Sequence, residues 1–142
     1  MGHRLRVWRT LSARDRLRLA TCAALLPMIH ASLALMGYRR TRIAIEALTR
    51  RCARRPADET AIENARALAR LADIAGRHGA VEATCLRQSL LVYGWLRLRA
   101  LTPELELGAA EAPRRFHAWV ELEGTRLLPG DEAFRPFESH AP

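Results

Sequence analysis

A cysteine and a histidine are the two side chains of this sequence best suited to covalent chemistry. Cys85 opens the stretch "CLRQSLLVYGWLRLRA", which has the pattern of an amphipathic helix, and Thr84 before it is a natural N-cap. A thiol at a helix N-terminus lies among unpaired backbone N–H groups at the positive end of the helix dipole, which favours the thiolate. The same N–H groups can stabilise an oxyanion, so the position predicts a nucleophile. The alternative is a small core cysteine, the commoner role of a lone cysteine.

His117 supplies the base that such a nucleophile needs. In "FHAWVELEG" the alternation predicts a strand, with His117, Trp119 and Glu121 on one face. If that face covers the cysteine helix, the imidazole can take the thiol proton and later give it to a leaving amine. Trp119 would then shield the pair from water or fill the core.

A carboxylate that orients the imidazole is predicted from the hairpin register. A two-residue turn at residues 123–124 places Gly130 opposite His117. Asp131 is one residue further along and is therefore within reach of the imidazole. Cys85, His117 and Asp131 are thus the predicted catalytic residues.

Helical patterns fill the N-terminal part of the chain. "LSARDRLRLATCAALL" predicts a helix capped by Ser12, which Pro27 is expected to end or kink. A second helix is predicted over residues 28–36, up to Gly37, and a third, basic helix over "RRTRIAIEALTRRCARR". The predicted apolar face of the first helix carries Leu17, Ala20, Ala24 and Leu25, and that of the third carries Ile43, Leu48 and Cys52.

The rest of the chain changes from helical to strand patterns. Residues 59–77 predict a strong helix with a stripe of Ala61, Ala65, Leu68, Ala72 and Ala75. After the cysteine helix, "ELELG", "FHAWVELEG" and "TRLLPG" predict short antiparallel strands. The predicted fold is therefore α+β, with the cysteine helix packed on a small sheet. The turn "RPADET" divides a basic helical region, residues 1–56, from a core of residues 57–142 within one folded unit.

Charge is unevenly distributed along the chain. The 142 residues carry a formal net charge of +8, and all 23 basic residues are arginine. Residues 1–56 contain 13 Arg and two acids, whereas residues 57–142 contain 10 Arg and 13 acids. A basic surface suits an anionic or acidic partner, or is simply solvated. An alternative function is therefore a non-catalytic, basic helical adaptor that binds a protein partner or an anionic membrane surface.

Cysteine usage and hydropathy bear on location. Cys22, Cys52 and Cys85 are widely spaced and lack a CxxC pair, which predicts neither disulfides nor a zinc site and suits a reducing cytoplasm. Residues 19–37 carry no charge and approach the length of a membrane span, but Pro27 and polar residues dilute them. We expect a cytoplasmic protein, with membrane association of residues 19–37 as the alternative.

The cysteine helix, the strand "ELELG" and the "FHAWVELEG" stretch together resemble a known family, the transglutaminase-like cysteine peptidase of lasso-peptide biosynthesis. This is the stand-alone leader-peptidase half of the B protein. The matching positions are Cys85, Leu86, Gln88, Ser89, Leu90, Leu96, Arg97, Gly108, His117, Ala118, Trp119, Val120, Glu121 and Gly124. The resemblance implies a transglutaminase/papain-like core and extends more weakly to the N-terminal helices.

This resemblance implies removal of the leader from a lasso precursor, which belongs to the ribosomally made and modified peptides (RiPPs). Cys85 would attack the carbonyl at the leader–core junction, and His117 would protonate the departing core amine. The implied partners are the precursor, a small leader-recognition protein that docks on the basic N-terminal helices, and an ATP-dependent lasso cyclase. No nucleic acid, cofactor or metal is implied.

Other residues keep alternative roles. Relatives often place an aspartate where this sequence has Pro129, so Glu132 and Glu121 are alternatives to Asp131 as the third catalytic residue. Gln88 can assist an oxyanion or serve helix packing. Thiol chemistry also allows acyl transfer to an amine, as in transglutaminases.

The remaining aromatic and imidazole side chains fit structural roles better than chemical ones. Tyr93 and Trp95 are predicted core residues of the cysteine helix because of their amphipathic placement. His30, His78 and His140 have no partner at a metal-ligand spacing.

Overall fold

Four helices precede a small antiparallel sheet in the computed structural model, which describes residues 2–78, 84–110, 115–127 and 135–136. The helices are α1 (Gly2–Thr10), α2 (Ala13–Leu48), α3 (Glu59–His78) and α4 (Cys85–Leu98). The strands are β1 (Pro103–Ala110), β2 (Arg115–Leu122), β3 (Thr125–Arg126) and β4 (Arg135–Pro136), in the order β3-β2-β1-β4. The α+β prediction is confirmed, and α1 is additional to the predicted helices.

The first helix was expected to end or kink at Pro27, and it does not end there. Ser12 caps α2 as predicted, because its Oγ accepts a hydrogen bond from the backbone N–H of Asp15 at 3.1 Å. The helix then continues through Pro27, so the helix predicted over residues 28–36 is part of α2. A proline leaves the carbonyl four residues earlier without its helical hydrogen bond. That residue is Ala23, which is exposed, so water can bond its carbonyl.

The break in α2 is at Gly37, whose backbone angles are φ 78° and ψ 173°. Glycine enters this region without the steric cost that a Cβ imposes. Ser32 Oγ and Thr41 Oγ1 lie 3.0 Å apart, whereas nine residues of straight helix span about 14 Å. The two arms of α2, residues 13–36 and 38–48, therefore fold toward each other at Gly37.

The faces of α2 that point inward differ from the predicted ones. Leu17 and Leu48, predicted on apolar faces, are 70% and 82% exposed. Exposed as well are Ala20, Ala24 and Ile43. The fully buried residues of α2 are instead Cys22, Leu26 and Thr41. Packing against α3 and α4 selects this inward face, which is not the most apolar stripe of the helix.

The predicted stripe of α3 enters the core. Ala61, Ala65, Leu68, Ala72 and Ala75 are all buried. They belong to one hydrophobic cluster with Cys22 and Leu26 of α2, and with residues of α4 and the sheet. The N-terminal helices and the sheet thus share one core.

The sheet has the predicted hairpin and a longer first strand. Glu123 and Gly124 both have positive φ, 51° and 73°, as a type I′ turn requires. Leu122 pairs with Thr125, as a two-residue turn predicts. β1 extends to Ala110, beyond the predicted strand end at residue 108, because it continues to pair with β2.

A polar network joins the second arm of α2 to α4. Glu46 Oε1 accepts hydrogen bonds from Arg42 Nε at 3.0 Å and from the Tyr93 hydroxyl at 2.9 Å. Arg97 Nε donates to Thr49 Oγ1 at 2.7 Å. Tyr93 is 3% exposed, so its predicted core position is confirmed, and its hydroxyl is satisfied there.

Within the described ranges, α2 is the one helix long and apolar enough to cross a membrane by length and composition. Core helices and signal sequences pass the same test, so this property does not distinguish a membrane span from a protein-facing helix.

Candidate active site

Cys85 and His117 line the same small cavity. Cys85 is the first residue of α4, and His117 is the third residue of β2. The cavity between them, here called the Cys85–His117 cavity, has a volume of about 40 Å³. Such a volume admits only a few water molecules. Its walls are completed by Ala69, Gln88, Ser89, Val92, Ala118, Trp119, Val120 and Leu127. The thiol and the imidazole therefore share a confined and largely apolar space.

Ser89 fixes α4 against β2. Its hydroxyl donates a hydrogen bond of 3.0 Å to the backbone carbonyl of Ala118, and Ser89 is 8% exposed. Ser89 lies four residues after Cys85, on the same face of the helix. Ala118 immediately follows His117, so this bond holds together the two elements that carry the thiol and the imidazole. Sequence reasoning assigned Ser89 no role, although a serine on an apolar helix face, one turn after the cysteine, was the available signal.

Trp119 supports the imidazole of His117. The two rings stack with centroids 6.0 Å apart and an interplanar angle of 20°. Trp119 is 2% exposed, and its Nε1 donates to Glu121 Oε1 at 2.9 Å. Arg126 lies over the Trp119 ring at 4.6 Å and pairs with Glu121 at 3.3 Å. These contacts fix the indole, which in turn limits the orientations open to the imidazole.

The side chains of β2 alternate between two faces of the strand, and the two faces have different surroundings. Val120 and Leu122 join the hydrophobic cluster that also contains α4, together with Leu105 of β1. His117 and Trp119 occupy the alternate positions. Val120 and Leu122 therefore hold the strand in the cluster, and the set that carries the imidazole is anchored by the buried Trp119.

The predicted third catalytic residue, Asp131, lies outside the described residues, as does Glu132. Glu121 is described, and its carboxylate is engaged by Trp119 and Arg126. It is four residues from His117, about 13 Å along an extended strand. The carboxylate of Glu121 therefore supports Trp119, whose ring stacks on that of His117.

The first turn of α4 provides hydrogen-bond donors beside Cys85. The first helical bond of α4 runs from the Gln88 N–H to the Thr84 carbonyl at 3.1 Å, so the N–H groups of Cys85 and Leu86 precede the hydrogen bonds of the helix itself. Thr84 occupies the predicted N-cap position, but its side chain makes no capping hydrogen bond. The Gln88 side chain borders the cavity. The first-turn N–H groups and the Gln88 side chain are therefore the hydrogen-bond donors on the α4 side of the cavity, where an oxyanion would be stabilised.

The other cysteines and histidines have different surroundings. Cys22 is fully buried, and burial raises the pKa of its thiol to about 11, which keeps it protonated. Cys22, Cys52 and Cys85 are all free thiols. Among the residues that the structure describes, the buried His30 Nδ1 has no hydrogen-bond partner. No group of three His, Cys, Asp or Glu able to hold a metal occurs among the residues the structure describes.

Comparison with known proteins gives one match. No curated protein and no solved structure matches the chain significantly. The family model for the transglutaminase-like superfamily matches residues 25–140, which include α4, the sheet and most of α2. The superfamily that the sequence resemblance implies is confirmed over most of the chain, and this protein belongs to the transglutaminase-like superfamily.

Proposed function

We propose that this protein is a cysteine peptidase that removes the leader peptide from a lasso-peptide precursor. One observation carries the proposal: Cys85 at the start of α4 and His117 on β2 border the same cavity. The superfamily includes cysteine peptidases, which agrees with this pairing. The choice of a lasso precursor rests on the sequence resemblance of the cysteine helix and the "HAWVE" strand.

In the proposed reaction, His117 takes the thiol proton of Cys85, and the thiolate attacks the carbonyl carbon of the leader–core peptide bond. The first-turn N–H groups of α4 stabilise the oxyanion of the tetrahedral intermediate. His117 then protonates the departing core amine as the C–N bond breaks, leaving the leader as a thioester on Cys85. Water gives a proton to His117 and attacks the thioester, which releases the leader carboxylate and restores the thiol.

Asp131 is proposed as the carboxylate that orients His117 in this reaction, with Glu132 and Glu121 as the alternatives. Asp131→Asn is then expected to lower kcat while Glu132→Gln leaves it unchanged. The reverse result would assign the role to Glu132.

The proposed partners are the precursor, a small leader-recognition protein and the ATP-dependent cyclase that uses the freed core amine. The exposed apolar and arginine side chains of α2 provide a surface on which the leader-recognition protein can dock. A cytoplasmic location is proposed, which agrees with the three free thiols.

The test is mass spectrometry of a candidate precursor incubated with this protein and its leader-recognition partner. Wild-type protein is expected to make a single cut, giving a leader with a free carboxylate and a core with a free amine. Folded Cys85→Ala is expected to make none, and Cys52→Ala serves as the matched control. Equal cutting by wild type and Cys85→Ala would exclude the mechanism. A leader joined to an added amine would identify acyl transfer instead.

A non-catalytic adaptor is a second candidate, favoured by a different observation. The two arms of α2 and the helix α4 enclose an apolar groove of about 520 Å³, here called the α2–α4 groove. Its lining includes the exposed Met28, Leu48 and Leu98. An apolar groove of this size suits the apolar face of a partner helix. The adaptor function predicts that Cys85→Ala leaves activity intact, whereas Leu98→Glu abolishes partner binding.

A further inference from the structure

A second cavity lies at the opposite end of α4 from Cys85. It has a volume of about 150 Å³, and four arginines line it. Arg14 and Arg18 come from α2, Arg55 from the segment before α3, and Arg99 from the end of α4. We call it the arginine cavity. Arg99 is 14 residues after Cys85, about 21 Å along a helix, so this cavity is separate from the Cys85–His117 cavity.

Arg18 is the residue that distinguishes this cavity from an ordinary solvated surface. Its side chain is only 13% exposed, and within the described ranges its one ionic partner is Asp15, at 3.7 Å. Burial lowers the pKa of Arg18, and the neighbouring charges of Arg14 and Arg99 lower it further. Within the described part of the chain, none of the four guanidinium groups makes a hydrogen bond.

The charge of the cavity is unbalanced. The lining residues include four arginines and no carboxylate, and Asp15, which pairs with Arg18, offsets one of the four positive charges and leaves three. Like charges held together destabilise a fold, and a nearly buried guanidinium needs hydrogen-bond acceptors. Asn64 adds an amide to the lining, and Trp95 and Leu68 form apolar walls. Among the described lining side chains, the cavity therefore has positive charge and donors, and the Asn64 amide is the one group that can also accept a hydrogen bond.

We propose that the arginine cavity binds a phosphate or diphosphate group. Guanidinium forks match the oxygens of phosphate in a bidentate manner. A multiply charged anion balances the three excess charges, whereas a single carboxylate leaves two of them. The volume suits a group of this size and not a whole nucleotide or peptide. This site is independent of the proposed peptidase reaction and does not require it.

The test is calorimetric titration of the full chain with inorganic pyrophosphate at constant ionic strength. Saturable binding is expected, with a rise in the unfolding temperature, because a ligand that binds only the native state stabilises it. Arg18→Gln and Arg99→Gln are expected to weaken binding at least about tenfold each. Arg66→Gln and Arg70→Gln, at exposed positions of α3, are the matched controls and should bind like wild type. Arg99 is exposed, so its variant remains informative if Arg18→Gln fails to fold.

Two further experiments identify the molecule that carries the phosphate group. Flotation with phosphatidylcholine vesicles, with or without phosphatidic acid, tests a lipid headgroup, and competition by pyrophosphate assigns vesicle binding to the same cavity. A glutamate-rich peptide tests carboxylates. The proposal is overturned if pyrophosphate does not bind saturably, if the α3 controls lose as much affinity as Arg18→Gln, or if the acidic peptide binds more tightly than pyrophosphate.

Discussion

Two of the cavities that α4 shares with its neighbours, the Cys85–His117 cavity and the α2–α4 groove, differ in size and chemistry. The Cys85–His117 cavity, about 40 Å³, joins α4 to β2 and contains a thiol and an imidazole. The α2–α4 groove, about 520 Å³, joins α4 to both arms of α2 and is lined mainly by apolar side chains. The first has the chemistry of a reaction site and the second has the shape of a binding surface. The comparison indicates that one helix positions a nucleophile at its start and a partner-sized groove further along.

Removing the imidazole tests most strongly whether the Cys85–His117 cavity is the reaction site. His117→Ala is expected to lower the rate of precursor cleavage by about 10³-fold, because the thiol loses its base and the leaving amine loses its acid. Thermal unfolding should change little, since His117 lies outside the hydrophobic cluster. Phe116→Ala, at the neighbouring position that is 70% exposed, is the control and should retain activity. Equal activity of both variants would place the chemistry elsewhere.

Substitutions on the packed side of α4 should lower the stability of the fold, whereas His117→Ala should lower the rate of cleavage. Leu90 is 0% exposed in the core cluster, so Leu90→Ala should lower the free energy of unfolding by about 2–5 kcal/mol. Leu35 of α2 is 85% exposed, and Leu35→Ala should change the free energy of unfolding by less than about 0.5 kcal/mol. Urea unfolding measures both. Similar losses in the two variants would show that the exposed face of α2 is covered in solution.

A smaller effect is expected at the contact between α4 and β2. Ser89→Ala removes the hydrogen bond to the Ala118 carbonyl and leaves that carbonyl without this donor. The free energy of unfolding should fall by about 1–3 kcal/mol. Cleavage should slow as well, because the helix that carries Cys85 is less firmly held against the strand that carries His117. Ser89→Thr keeps a hydroxyl and should restore part of the activity; a Ser89→Ala enzyme of normal stability and rate would contradict this role.

The smallest effect concerns pH and the network beside the α2–α4 groove. Burial tends to raise the pKa of Glu46, but the hydrogen bonds from Arg42 and Tyr93 outweigh it, and the pKa is lowered below its ordinary value of 4.5. A lowered pKa contributes stability above the unfolded-state value, and this stability is lost as the pH falls through the folded-state value. The free energy of unfolding should therefore fall less between about pH 6 and pH 3 in Glu46→Gln than in the wild type. Urea unfolding over this pH range measures the difference, with Glu63→Gln at an exposed position as the control. The same pH dependence in wild type and Glu46→Gln would contradict the prediction.

Local patterns predicted some parts of this structure and missed others. The stripe of α3, the turn at Glu123-Gly124 and the helix that starts at Cys85 depend on short-range periodicity and turn chemistry, and each is present. The inward face of α2 depends on which neighbours it packs against, so its apolar stripe was a poor guide. The helix end expected at Pro27 is absent, and the exposure of Ala23, which local sequence does not reveal, lets water bond the carbonyl that the proline leaves without a helical partner.

In the candidate sites, too, local patterns predicted some features and missed those that depend on tertiary packing. The shared cavity of Cys85 and His117 agrees with their spacing and element types. The hydrogen bond between Ser89 and Ala118 spans 29 positions, and the arginine cavity collects side chains from three segments, so neither has a local signature.

The central claim is that Cys85 is activated by His117, and alkylation kinetics test it without a substrate. Wild-type protein and His117→Gln are treated with iodoacetamide near neutral pH, and the modified peptides are quantified by mass spectrometry. Cys52 serves as the internal reference thiol, and the buried Cys22 should remain unmodified in the native protein. We predict that Cys85 reacts faster than Cys52 in the wild type and at least about tenfold more slowly in His117→Gln. An unchanged rate at Cys85 would contradict the nucleophile–base pair.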